Sequence, residues 1–183
     1  NYIVNHLNEG DLFNIVIFNH TNQALWSTHQ PFTPANVTTA LNFINNITAT
    51  GNTDIGAAFN LAVPQFVNAS LNTANIIIFL TDGQPTSGIT NTTQLVNYVD
   101  GLINANKTDI FLFNPKTNTN INQQLLSQLA TNNSGAVSFL GDNEVYAAIT
   151  DFYNLIRNPV MLDPTFTVGP NGSVLDVYPV DLP

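Results

Sequence analysis

Residues Asn75–Pro85 read N-I-I-I-F-L-T-D-G-Q-P. Five consecutive apolar residues, Ile76 to Leu80, run directly into Thr81-Asp82-Gly83. A β-branched and aromatic run this short, closed by a turn signal, predicts a strand covered on both faces, as in a parallel sheet. Asp82 then stands at the carboxyl end of that strand, where open α/β sheets bind their ligands. The same aspartate would also serve as an ordinary turn residue or helix N-cap, and its position alone does not separate the roles.

Upstream of this stretch, Tyr2 to Asn8 carries Ile3, Val4 and Leu7 on one face and is stopped by Gly10, the pattern of a helix end. The chain therefore reads as one that opens inside a helix. Phe13–Phe18 (F-N-I-V-I-F) predicts a buried strand, and Thr21–Trp26 a short polar edge strand. Thr33-Pro34 offers an N-cap followed by proline at the first helical position, and Val37, Leu41, Ile44 and Ile47 follow at helical spacing. A second helix begins near Asp54 with Ile55, Ala58, Phe59, Ala62, Val63 and Phe66 on one side, and Pro64 is expected to kink it or end it early.

Downstream, a helix carries Leu95, Val96, Val99, Leu102 and Ile103, and Asp109–Phe113 (D-I-F-L-F) predicts another buried strand. Ile121, Leu125, Leu126 and Leu129 mark a helix ended by Asn132-Asn133-Ser134-Gly135. Ala136–Leu140 is a short strand, and Val145, Ile149, Phe152, Tyr153 and Ile156 mark a last helix before Pro159. Strands alternate with helices over residues 1–158, which predicts an α/β fold: a parallel sheet with helices on both faces. The tail differs. Thr165–Val168, a Gly-Pro-Asn-Gly turn and Ser173–Val177 read as a hairpin-like pair. The division expected is one domain over 1–160 and the start of a β module over 161–183.

Twelve acidic residues against three basic ones give a net charge of -9 in 183 residues, and only 8% of residues are charged. A phosphate backbone needs lysine and arginine, so nucleic-acid binding is disfavoured, whereas cation binding is compatible. The absence of cysteine excludes disulfides, thiolate metal sites and a cysteine nucleophile. No apolar run approaches the ~20 residues of a membrane span, and the first residues lack the pattern of a signal peptide. N-x-S/T sequons begin at Asn19, Asn36, Asn46, Asn68, Asn91, Asn106, Asn132 and Asn171. Each is weak by itself, but together they lean towards an extracellular or cell-surface protein.

Two loops offer small oxygen ligands: Gly51-Asn52-Thr53-Asp54 before a helix and Thr81-Asp82-Gly83 after a strand. Hard cations such as Mg²⁺ take such oxygens and keep several waters. Thr53 or Asp54 is equally suited to capping the helix that follows. Enzymatic readings have little to stand on. The sequence holds no G-x-S-x-G, G-x-G-x-x-G or G-x-x-x-x-G-K-[ST] pattern, and Thr86-Ser87-Gly88 does not supply a serine elbow. His20 and His29 flank the expected edge strand and read as surface residues; His6 is the third histidine.

Five pieces of the chain resemble a von Willebrand factor A domain, most of all those of inter-alpha-trypsin inhibitor heavy chains. They are D-L-F-N-I-V-I-F at Asp11–Phe18, A-L-W at Ala24–Trp26, G-N-T-D-I at Gly51–Ile55, I-I-I-F-L-T-D-G at Ile76–Gly83 and D-F-Y-N-L-I-R-N-P at Asp151–Pro159. They occur in family order. Leu175–Pro179 and Asp181–Pro183 also resemble the segment that follows the A domain in those heavy chains.

The resemblance implies a doubly wound, mainly parallel sheet with a metal-ion-dependent adhesion site at its top. In the family that site joins a D-x-S-x-S loop, a threonine and an aspartate. Thr53 matches the threonine and Asp82 the aspartate, with Asp54 in a supporting position. The D-x-S-x-S loop has no counterpart here, and neither does the first, central strand that carries it. That strand belongs between those matching Phe13–Phe18 and Asn75–Leu80.

The resemblance thus implies a protein-binding or adhesion module, not an enzyme. In the intact protein a divalent cation, Mg²⁺ or else Ca²⁺ or Mn²⁺, would receive an Asp or Glu carboxylate from a protein or matrix partner. In these 183 residues the cation is expected to bind weakly or not at all. The alternative is a scaffold domain of a surface or matrix protein with a vestigial metal site. No nucleic acid and no membrane insertion are expected.

Overall fold

The structure, a computed structural model, describes residues 1–19, 21–48, 51–66, 73–81, 84–103, 108–115, 122–140 and 144–156. The expected boundary at residue 160, the hairpin-like tail, His20, and the Asp82-Gly83 pair lie outside the described residues. So does Ile121, the first apolar position assigned to its helix.

A parallel sheet of β5 (Asn75–Leu80), β6 (Thr108–Pro115) and β7 (Val137–Leu140) forms the centre, in that order. Ile77 pairs with Ile110 and Phe113 with Ser138 in its register. Side chains alternate across a strand, and β6 uses both sides. Ile110 and Leu112 enter the main core with Ile55, Phe59, Leu95, Val99, Leu125 and Leu129. These come from α3 (Ile55–Ala62), α4 (Thr92–Ile103) and α5 (Gln123–Thr131). On the opposite face, Phe111 and Phe113 meet Phe152 of α6 (Val145–Ile156) at 4.5 and 5.1 Å between ring centres. Helices therefore cover both faces of a parallel sheet, as the alternating pattern predicts.

The helix ends follow the local chemistry of the sequence. Thr33 caps α2 (Pro34–Asn45) by accepting the Asn36 amide hydrogen, with Pro34 in the first turn. Asn91 and Asn122 accept from the amides of Gln94 and Leu125 at the starts of α4 and α5. Pro64 sits in a 3₁₀ turn, Val63–Gln65, that closes α3. Ile47, expected on the apolar face of α2, lies beyond its end and is exposed. The first helix, α1, covers only Tyr2–Asn5.

Two strand expectations need correction. Phe13–Phe18 is not one buried strand. It is split into β1 (Leu12–Phe13), paired antiparallel with β4 (Gln30–Pro31), and β2 (Val16–Ile17), paired antiparallel with β3 (Gln23–Ala24). The expected edge strand at Thr21–Trp26 is thereby reduced to β3. Asn14 is the physical cause. Its side-chain amide donates to the Trp26 carbonyl at 2.7 Å and accepts from the Trp26 and Ile15 amides. One side chain thus takes the place of the backbone ladder between the two short pairs.

The second correction concerns β5. Among the described residues it is an edge strand, Ile77 and Ile78 are only partly buried, and Leu80 is 48% exposed. An apolar run suited to burial on both faces lies here with one edge uncovered by any described strand. Phe18, just after β2, still reaches β5: it stacks on Phe79 at 4.9 Å, and Phe79 in turn stacks on Phe59 at 5.0 Å.

Candidate functional site

Thr53 and Asp54 lie at the start of α3, on the side of the molecule where β5 ends. Asp54 is the N-cap: its Oδ1 accepts the Ala57 amide hydrogen at 3.0 Å, and its own amide donates to the Asn19 carbonyl. The capping role open to either residue in the sequence thus falls to Asp54. This leaves the Thr53 hydroxyl outside the cap.

Thr53 is tied to the loop after β5 through its backbone. Its amide donates to Thr86 Oγ1 at 2.8 Å. Its carbonyl accepts from the amides of Thr86 and Ser87 at 2.9 and 3.2 Å. Three hydrogen bonds therefore hold the Thr53 loop against residues four and five positions after Asp82. Asp82 itself lies outside the described residues, so the structure brings Thr53 to the loop that carries Asp82 without describing the carboxylate.

The residue before it, Thr81, is buried and doubly held. Its amide donates to the Phe113 carbonyl at 3.3 Å, and its carbonyl accepts from Asn114 Nδ2 at 2.8 Å. Asn114 is fully buried, and among the described residues its Oδ1 has no hydrogen-bond partner; Ser87 Oγ is likewise buried and unpartnered among them. Buried oxygens left this way call for a donor, most simply water. Both stand on segments bonded to the two candidate loops. Sequence reasoning missed Thr86, Ser87 and Asn114. The available signal was a polar residue closing an apolar strand (Asn114 after D-I-F-L-F) and a Thr-Ser pair following the aspartate turn.

These residues fit a hard cation only in part. Among the described residues no group of three His, Cys, Asp or Glu side chains converges on one point. A site would need several oxygens, and one hydroxyl beside a capping carboxylate does not complete it. His29, read from sequence as a surface residue, is half-buried instead. Its ring packs 4.8 Å from that of Phe66, and its Nδ1 lies 3.0 Å from the Gln65 carbonyl. Burial lowers its pKa below the ordinary 6.5, partly offset by that hydrogen bond. His6 stacks on Tyr2 at 4.0 Å, away from the loops described above.

With this fold and loop arrangement, a family profile for the von Willebrand factor type A domain matches residues 1–139. The chain belongs to that family. Among curated proteins it is similar to mouse inter alpha-trypsin inhibitor heavy chain 4, with 31% identity over 172 residues, 90% of this chain and 18% of the relative. Bovine inter-alpha-trypsin inhibitor heavy chain H1 is 28% identical over 169 residues, 88% of this chain and again 18% of the relative. The chain thus spans about a fifth of the length of the curated relatives it matches.

Solved structures agree on the fold. A von Willebrand factor type A protein from Catenulispora acidiphila superposes with a TM-score of 0.71 at 15% identity, covering 82% of this chain and 35% of that one. Proximal thread matrix protein 1 of the mussel byssus, solved with a zinc-occupied MIDAS motif, gives 0.58 at 15% identity, covering 78% and 35%. Domains of this family are generally protein-binding modules, and nothing described in this chain supports catalysis.

Proposed function

We propose that this chain is the body of an extracellular adhesion module that binds a protein or matrix partner through a divalent cation. The observation that carries the reading is the trio of hydrogen bonds between Thr53 and Thr86-Ser87. It joins the loop of the candidate threonine to the loop of the candidate aspartate, the two family positions present in this sequence. In this reading Thr53 and Asp82 would hold Mg²⁺, or Ca²⁺ or Mn²⁺, with Asp54 fixing the Thr53 loop from behind. The cation, when bound, supplies an open coordination position for a partner's Asp or Glu carboxylate. The remaining ligands would come from a strand and D-x-S-x-S loop that these 183 residues do not contain.

Calorimetric titration tests it. The 183-residue chain is expected to give no tight, stoichiometric Mg²⁺ binding. The same chain joined to a preceding strand with its D-x-S-x-S loop is expected to bind, and to lose binding on Thr53→Val or Asp82→Asn. Tight binding by the short chain, or no effect of either substitution in the longer one, contradicts the assignment.

The scaffold reading has its own support in Asp54, whose Oδ1 is committed to the α3 cap. Partner binding that survives a chelator would favour it. Surface display is consistent with the exposed sequon residues Asn46, Asn91 and Asn132. The Asn132 amide, however, already donates to Asp100 Oδ2 at 2.8 Å. The Asn46 amide likewise donates to the Asn42 carbonyl at 2.7 Å, so a glycan is better accommodated at Asn91.

A further inference from the structure

A cleft of about 280 Å³ opens beside the start of α3, lined by Asp54, Ala57, Asn60, Gly88, Ile89 and Tyr98. Its chemistry is lopsided. Asp54 spends Oδ1 on the Ala57 amide, while no described residue donates to Oδ2. Tyr98, on α4, is 37% exposed. Carboxylate and ring flank a glycine floor: a Cβ at Gly56 would stand 3.7 Å from both Asp54 Oδ1 and Tyr98 Cε1. On the other side Gly88, at φ +66, runs so close that a Cβ there would fall 2.5 Å from Asp54 Oδ1. Only glycine lets that backbone pass the carboxylate. The three basic side chains of the whole sequence, Lys107, Lys116 and Arg157, lie outside the described residues, so no described lysine or arginine neutralises Asp54.

We propose that this cleft receives a basic side chain from a protein partner, arginine in preference to lysine. An arginine side chain matches the two walls at once. Its planar head stacks on an aromatic ring while its N–H groups fork onto a carboxylate oxygen. Its aliphatic stem would lie along Ile89. The net charge of -9 favours the approach of such a partner. This contact uses no cation and stands apart from the adhesion reading, although it would place a partner's basic residue next to that loop pair.

The test is an NMR titration of the ¹⁵N-labelled chain with N-acetyl-arginine amide, in chelator and in Mg²⁺. N-acetyl-citrulline amide serves as the uncharged match and N-acetyl-lysine amide as the other cation. Saturable shifts centred on Ala57, Ile89 and Tyr98 are expected with arginine, the same with or without Mg²⁺. Binding should be weaker with lysine and roughly tenfold weaker with citrulline, the loss of one charge-assisted contact. Asp54→Asn, which keeps a good N-cap, should weaken arginine binding to a similar degree. Tyr98→Leu, at a surface position, should weaken it independently. Equal shifts with citrulline, unchanged affinity in both variants, a requirement for Mg²⁺, or no binding of the arginine probe would each overturn the proposal.

Discussion

Ala57 donates its amide hydrogen to Asp54 Oδ1, so removing that oxygen leaves a donor at the start of α3 without its acceptor. Asp54→Ala is expected to lower unfolding free energy by about 1 kcal/mol, and Asp54→Asn by much less, since asparagine caps as well; urea midpoints of the two variants check this. His29 sets a pH dependence of known sign. Its native pKa lies below 6.5 because burial disfavours the charged ring. The unfolded chain therefore takes up a proton first as pH falls. The contribution is complete above pH 6.5 and is lost as pH drops through the lowered native value. Melting temperature should accordingly fall between pH 7.5 and pH 5, and His29→Gln should flatten that slope. The cap was legible because Asp-Ile before an apolar helical face is a start signal. The burial of His29 was not: it depends on Phe66 and Gln65, more than thirty positions away, which no local pattern announces.

Between elements, a close backbone approach stands just past the end of α5. A Cβ on Gly135 would overlap the Ile110 carbonyl of β6, and backbone cannot move aside as a side-chain tip can. Gly135→Ala should destabilise by about 2 kcal/mol through overpacking. The neighbouring Ser134 holds φ 54, a left-handed conformation that favours glycine at helix ends. Ser134→Gly should therefore raise stability by about 1 kcal/mol. Both are read from denaturant unfolding of the purified variants. Helix boundaries were largely legible because Thr33-Pro34, Pro64 and Asn132-Asn133-Ser134-Gly135 are local instructions. The division of Phe13–Phe18 was not. Periodicity counts Asn14 as one polar position in an apolar run, whereas its amide bridges to Trp26 and breaks the ladder.

For the molecule as a whole, the parallel sheet and its two helical layers were legible from apolar runs of strand length alternating with helical spacing. The proposed cation site was legible only as two candidate corners, because a site of that kind would gather loops from separate strands and one of those loops has no counterpart in this sequence. The edge of β5 gives this a measurable form. The Thr81 amide points at β6. By the two-residue period of a strand, the amides of Ile76, Ile78 and Leu80 point the other way. In deuterated water those three hydrogens should exchange quickly while their neighbours Ile77 and Phe79 exchange slowly. A strand seated on that edge would erase the alternation. Isotope exchange at three isoleucine and leucine amides thus reports whether the sheet is complete.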